Sequence, residues 1–288
     1  MKTKLKRLVS LLLCIACVVG IASFSASASA NNRINFPTTA SNTTVYSNGA
    51  RVLEGQAAIV DSVTYVGLRS FCDLFGNYEI SWNDRTKTAT VKGDGLSMTV
   101  TSGDLYIYAN GRCLYTVTPI RIIDDRLCVP IRPIAKALGV EVTWNDATRL
   151  VELRDTGKYF AWADSFYNAD DLYWLSRIIS AEAKGESLKG QIAVGNVVLN
   201  RKRSPNYPNT IYGVIFDRKH GTQFSPVSFG TIYNTPSASS IIAAKICLEG
   251  YSISNKALFF VNPRLATSTW IERNCTYEFT IGNHKFYS

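Results

Sequence analysis

Histidine is nearly absent from this chain. Its 288 residues include two, His220 and His284, and none falls between residues 31 and 167. A zinc site with several imidazole ligands would need both. A copper site in the first half would have no imidazole at all. Cysteine is sparse too. Two of the seven lie within the first 30 residues, leaving Cys72, Cys113, Cys128, Cys247 and Cys275. Their number is odd and their spacings match no zinc pattern. A Cys247–Cys275 disulfide is compatible with the sequence, but buried thiols are the simpler expectation. Beyond the N-terminus no segment is long and apolar enough to span a bilayer. Neither a metal nor a cofactor is expected.

The N-terminus does carry one apolar run, in "MKTKLKRLVSLLLCIACVVGIASFSASASA". Lys2, Lys4, Lys6 and Arg7 precede it and Ala28-Ser29-Ala30 closes it. Residues 1–30 are expected to be a secretory signal peptide, with a retained membrane anchor as the alternative. The residues before Cys17 fit a lipobox poorly. Cleavage would remove four of the 31 basic residues and no acids. Residues 31–167 carry 14 basic and 14 acidic side chains, and residues 168–288 carry 13 and 8. The excess in the second half suggests an anionic polymer as partner, or a plain solvated surface. Neither a nucleic-acid partner nor an oligomer is expected.

The first half repeats itself. "YVGLRSFCDLFGNYEISWNDRTKTATV" from Tyr65 parallels "CVPIRPIAKALGVEVTWNDATRLVEL" from Cys128. Val66/Val129, Arg69/Arg132, Gly76/Gly139 and Trp82/Trp144 are equivalent positions. Upstream, "VYSNG" at Val45 matches "IYANG" at Ile107. Each copy reads as strand, Asn-Gly turn, strand, short helix, strand, Trp-Asn-Asp turn, strand. One copy is too small to bury its own face, so two are expected to form one β-rich domain. Trp82 and Trp144 are read as core residues rather than ligand platforms. Residues 45–155 resemble the copper amine oxidase N-terminal-like module, although the missing histidines argue against copper. Residues 31–44 form a leader and residues 156–167 a linker.

The second half has a different texture. "NADDLYWLSRIISAEA" is an amphipathic helix capped by Asn168, with Leu172, Leu175 and Ile179 on its apolar stripe. Ser180 falls on the opposite side with Tyr173, Arg177 and Lys184. Glu182 lies on the stripe between Leu175 and Ile178, where a carboxylate costs free energy unless paired or protonated. Gly185 ends the helix. Ser187 caps a second helix, "LKGQIAVGNVVLNRKR", whose Gly190, Ala193 and Gly195 would admit a close neighbour. Residues 204–230 read as loop. A third helix spans about 237–248, "ALFFV" is a strand and "TYEFTIGNHKFYS" a terminal hairpin. The whole is α+β.

Residues 168–288 resemble the catalytic domain of the spore cortex-lytic, cell-wall hydrolase family. "AEAKGE", "GQIAVGNVVLNR", "PNTIYGVIF", "QFSPV", "ALFFVNP" and "IGNHKFY" carry the resemblance, in family order. "DRKHGT" before Gln223 departs from it. The resemblance implies a lysozyme-like or lytic-transglycosylase-like core acting on peptidoglycan glycan strands, with Glu182 as catalytic acid. A secreted monomer in the wall or spore cortex is expected, with anionic wall polymers as a second partner, and the resemblance points to cortex and germination. A glutamate in an apolar setting can hold a proton near neutral pH and deliver it to a glycosidic oxygen. Glu186 is a rival or supporting carboxylate one turn on, and Gln223, Ser225, Tyr207, Tyr233 and Trp270 are candidates for a sugar groove. Asp217, Glu249, Glu272 and Glu278 are the available second carboxylates. The alternatives are a Cys/His amidase or peptidase, using Cys247 or Cys275 with His284, and a non-catalytic wall-binding protein.

Overall fold

The structure, a computed structural model, describes residues 33–288 apart from 220, 222 and 267. The expected signal peptide and His220 lie outside the described residues. Among the described residues no helix is long and apolar enough to cross a membrane. The first copy of the repeat contains β1 (Ser41–Asn42), β2 (Thr44–Ser47), β3 (Ala50–Val52), β4 (Ala57–Val60), β5 (Val63–Gly67), α1 (Leu68–Cys72), β6 (Glu79–Asn83) and β7 (Thr88–Gly93). Strand β8 (Leu96–Thr101) leads to the second copy. That copy contains β9 (Tyr106–Ala109), β10 (Arg112–Tyr115), β11 (Arg121–Ile123), β12 (Arg126–Pro130), α2 (Ile131–Ala137), β13 (Val140–Asn145) and β14 (Leu150–Asp155).

The copies interlock. The β2–β3 hairpin of the first joins the β13–β14 hairpin of the second, and β9–β10 of the second joins β6–β7 of the first through β8. Between them β5 and β12 pair antiparallel, with Val66 opposite Val129. Those two residues are the same position of the repeat, so the axis relating the copies passes between them. Both repeated arginines do the same work. Arg69 donates to the Ile80 carbonyl at 3.3 Å and Arg132 to the Val142 carbonyl at 3.2 Å, each pinning the strand after its helix. Asn48-Gly49 and Asn110-Gly111 have positive φ at both residues, the conformation of a type I′ hairpin turn. Asp61-Ser62 and Asp124-Asp125 do the same and add the β4–β5 and β11–β12 hairpins. Neither pair carries the glycine that marks such turns in sequence.

The repeated tryptophans differ from the core expectation. Trp144 is partly buried and packs on the central cluster of Val66, Val129, Phe71 and Ile134. Trp82 is 45% exposed and is no core residue. Its cross-strand partner, Ala89, is too small to cover an indole.

The second half holds α3 (Ala163–Phe166), α4 (Ala169–Ala183), α5 (Leu188–Arg203), α6 (Ile211–Phe216), α7 (Ser225–Ser228), α8 (Ala238–Leu248), β15 (Phe259–Val261), α9 (Trp270–Asn274), β16 (Tyr277–Ile281) and β17 (His284–Tyr287). The stretch 204–230, read as loop, contains α6 and α7. Thr210 caps α6, accepting from the Gly213 N–H at 3.0 Å, and Pro226 stands in the first turn of α7. Helix α5 is buried on nearly all sides, between α4 and α8. A Cβ on Gly195 would lie 2.7 Å from Cys247 Sγ and 2.8 Å from Ile179 Cδ1. The glycine therefore lets α4 and α8 close on α5, as the small-residue pattern suggested. The three-stranded sheet β15-β17-β16 closes the other flank.

The two halves share an interface. Cys113 of β10 packs with Leu175, Ile179, Ala243 and Ile246, and Tyr106 and Tyr115 border the same cluster. Helix α8 ends in a Schellman arrangement, with the Gly250 N–H on the Cys247 carbonyl and the Tyr251 N–H on the Ile246 carbonyl. This sets Glu249 against β10. Its carboxylate accepts from Arg112 Nε at 2.6 Å, Arg112 Nη2 at 2.8 Å, Lys136 Nζ at 2.8 Å and the Tyr167 hydroxyl at 2.9 Å. The Arg112 guanidinium lies against Phe160 at 3.9 Å and Phe166 at 3.3 Å. Residues 156–167, read as a linker, thus pack into the interface.

Candidate active site

Helix α4 delivers the central group. Asn168 accepts from the Asp171 N–H at 2.9 Å, and Asp171 pairs with Lys202 of α5 at 3.0 Å. Cap and ion pair fix where the helix starts and how it lies on α5. Leu175, Ile178, Ile179 and Ala183 are buried. Ser180 is buried as well, against expectation, because its hydroxyl accepts from the Ser237 N–H at the start of α8 at 3.1 Å. The packed face is therefore wider than the leucine–isoleucine stripe, since α5, α6 and α8 all contact α4. Gly185 follows the C-cap, Lys184, without taking a left-handed φ.

Glu182 sits one residue before the end of α4, half-buried. Burial pushes its carboxyl up to about 7, and the positive charge of Arg201 opposes that rise without cancelling it. The physical cause is the expected one: water is displaced from a carboxylate and no full partner replaces it.

Arg201 was not singled out by the sequence reading. It is 5% exposed and lies near the C-terminal end of α5. Its Nε donates to the Leu258 carbonyl at 2.7 Å and its Nη1 to Gln223 Oε1 at 3.4 Å. The rings of Tyr207, Phe224 and Phe259 surround it at 5.1, 5.1 and 5.2 Å. Desolvation lowers its pKa, and the charges of Tyr207, Asp217 and Glu182 raise it. The signal available in sequence was a cation inside "VVLNR", on a helix with no polar face. The other polar residues of that helix are fasteners. Asn196 holds the Tyr251 carbonyl and the Ile253 N–H at 3.0 and 2.8 Å, and Asn200 holds the Ser254 and Ala257 carbonyls at 2.9 and 2.8 Å.

Arg201 thus gathers Glu182, Gln223 and Tyr207. Trp270 reaches the same group indirectly, with its ring 6.1 Å from Phe259. Ser225 is exposed at the first residue of α7. Tyr233 is exposed in a 3-10 turn at Thr231–Tyr233, with its ring 6.3 Å from Trp174. Glu186 is engaged elsewhere. It accepts from the Asn283 side chain at 2.8 Å and the Asn283 N–H at 3.3 Å. Gly282, at φ 57°, lies so close that a Cβ there would overlap Glu186 Oε2. Glu186 therefore ties the α4–α5 corner to the terminal hairpin.

The cysteine alternative lacks the geometry it needs. Cys247 is buried between α5 and α8, donating to the Ile192 carbonyl at 3.4 Å, and burial drives its thiol pKa upward. His284 is buried on β17 between Phe260 and Phe286, its Nδ1 without a hydrogen-bond partner among the described residues. All five cysteines beyond the leader are free, so Cys247 and Cys275 are not joined.

A carboxyl that burial raises to about 7 thus stands near the end of a helix in the α+β second half. Family comparison gives the particulars. Residues 185–287 match the family described as Cell Wall Hydrolase, and residues 46–153 the Copper amine oxidase N-terminal domain. The chain thus joins a cell wall hydrolase domain to a module of the second type. The first match begins three residues after Glu182. Spore cortex-lytic enzymes of Bacillus cereus and Bacillus subtilis (strain 168) are each 37% identical over 105 residues, 36% of this chain. The match covers 39% and 33% of those relatives, so the chain spans about two fifths or less of their length. The catalytic domain of the germination-specific lytic transglycosylase SleB from Bacillus anthracis is 36% identical. That match covers 42% of this chain and 97% of that domain, with a TM-score of 0.39. For the Bacillus cereus SleB catalytic domain the values are 35%, 42%, 92% and 0.38. Copper does not suit the module here. Cys72, Cys113 and Cys128 belong to three separate core clusters, and residues 31–167 contain no histidine.

Proposed function

We propose that the chain is an exported peptidoglycan-degrading enzyme. It cleaves the muramic acid to N-acetylglucosamine bond of glycan strands as a lytic transglycosylase, with spore cortex as the preferred substrate. The observation that carries this reading is the half-buried Glu182 near the end of α4, beside the buried Arg201, with a carboxyl that burial raises to about 7. In the first step Glu182 gives that proton to the bridging oxygen as the bond from the anomeric carbon breaks. In the second, the C6 hydroxyl of the same muramic residue attacks the anomeric carbon and returns its proton to the Glu182 carboxylate. One residue serves as acid and then as base. The product ends in 1,6-anhydro-muramic acid. The attacking hydroxyl belongs to the reacting sugar, so proximity favours it over water.

The carboxylates available for a water-activating partner support this route by their engagements. Glu249 is consumed by Arg112, Lys136 and Tyr167. Glu272 pairs with Lys285 and Glu278 accepts from Ser288. Asp217 accepts from the Lys219 N–H at 2.9 Å and shares the field of Arg201 with Glu182, which makes it the competitor to test. Gln223 and Tyr207 line the sugar site beside Arg201, and Tyr233, Ser225 and Trp270 extend it. Glu186 supports the corner that carries Glu182.

Glu182→Gln should lower the rate of cortex clearing by at least about a hundredfold, a typical general-acid contribution. Activity within a few fold of wild type would refute the assignment. Mass spectra of the digest should show anhydro ends. Reducing ends carrying ¹⁸O from labelled water would instead indicate hydrolysis, with Asp217 as base.

A further inference from the structure

A cavity of about 830 Å³ opens in the repeat module. Trp144, Asp146, Arg132, Arg149, Tyr115 and Val117 are among its lining residues. We propose that this cavity is a carbohydrate-binding site, and that a glycan strand of peptidoglycan occupies it while the catalytic domain works on the same polymer. The choice of polymer rests on the function proposed above.

The residues favour a sugar over other occupants. Trp144 is anchored on one side by the core and held in plane by its Nε1, which donates to Asp146 Oδ1 at 3.2 Å. Its other side lines the cavity, a rigid apolar surface of the kind that receives the C–H face of a pyranose ring. Around it stand groups that both donate and accept. The charged lining residues are Asp61, Asp146, Arg132 and Arg149, which cancel in formal charge. A polyphosphate would gain little from such a wall. A mostly neutral chain with an occasional carboxylate matches it. The volume lies within the roughly 300–1,000 Å³ of small-molecule pockets, enough for a few sugar units.

The position favours it as well. Tyr115 lines the cavity and its ring lies 4.3 Å from that of Tyr251. Tyr251 in turn accepts through its carbonyl from Asn196 of α5. With Glu249 clamped to Arg112, a strand held in the module stands at a fixed distance from Glu182. The repeat-related Trp82 supplies an internal control. It is equivalent in sequence, it is exposed, and it does not line this cavity.

The test uses the full chain carrying Glu182→Gln, so that substrate is not consumed, and measures co-sedimentation with purified peptidoglycan. Acid-stripped peptidoglycan, free of anionic wall polymers, is compared with unstripped material. Trp144→Ala should weaken binding to the stripped polymer about tenfold or more, as loss of a buried aromatic anchor does. Val117→Glu is 60% exposed at the rim, so it blocks the cavity without touching the core, and should have a similar effect. Trp82→Ala should bind as the parent does. The proposal is overturned if Val117→Glu binds normally, if Trp82→Ala loses as much as Trp144→Ala, or if stripping the anionic polymers abolishes binding. Because sedimentation needs no catalysis, failure here is separable from failure of the Glu182 assignment, which the clearing assay reads.

Discussion

If Glu182 is held protonated by burial, replacing it should change stability in a pH-dependent way that opposes its effect on activity. Its carboxyl is raised from 4.5 to about 7. Between those values the folded chain binds a proton that the unfolded chain has released, so stability falls as pH rises and levels off above pH 7. About 2.5 pH units separate the two values, equivalent to roughly 3 kcal/mol. Glu182 is half-buried, and residual solvation reduces that figure to about 1–3 kcal/mol. Glutamine resembles the protonated acid and titrates nowhere. Glu182→Gln should therefore match the wild type near pH 4.5 and exceed it above pH 7.5. At about 2–4 °C per kcal/mol for a chain of this size, the gain in Tm is roughly 2–12 °C. Thermal unfolding of both proteins at pH 4.5, 6 and 8 gives the curve. A Tm difference that is equal at all three pH values, or negative at pH 8, would refute the reasoning, because the charged carboxylate would then carry no burial cost.

Three further outcomes follow from the same geometry. Cleavage should decline on the alkaline side with a midpoint near pH 7, where Glu182 loses its proton; a plateau to pH 9 would remove it as the acid. Glu249→Ala leaves Arg112 buried without its partner and should cost about 3–5 kcal/mol in urea unfolding, against less than 1 kcal/mol if the contact is incidental. A chain of residues 160–288 should fold and cleave soluble fragments, but melt below the full protein, since it lacks the Cys113 and Tyr115 side of its core; failure to fold would move the domain boundary.

The elements that local chemistry decides were legible in the sequence. Asn168 and Ser187 cap helices where their side chains announced it. Asn-Gly turned two hairpins, and the repeat gave a domain whose copies meet at Val66 and Val129. What stayed hidden depends on partners distant in sequence. Ser180 looked solvent-facing until α8 covered it. Trp82 and Trp144 share a sequence context, yet one is exposed, because the interlocked copies bring different neighbours to each. Arg201 carried one local mark, a cation on a buried helix, but the rings around it come from the residue before α7, from β15 and from the loop after α5.

The carboxylates make the same point for function. By sequence Asp217, Glu249, Glu272 and Glu278 were equivalent candidates to assist Glu182, each lacking an apolar stripe. Their environments separate them sharply. Burial alone would raise Glu249, yet hydrogen bonds from Arg112 and Lys136 and their charges hold it below the ordinary carboxylate range. It remains charged, paired and unavailable to move a proton. Glu182 has the opposite balance. Burial raises it, and the cation in its field, Arg201, also donates to Leu258 and Gln223. Two glutamates of one domain are thus shifted in opposite directions by the number of donors that reach them. The glutamate with many donors fastens the domains together, and the one left without a full partner is raised toward neutrality, which is what the proposed acid requires.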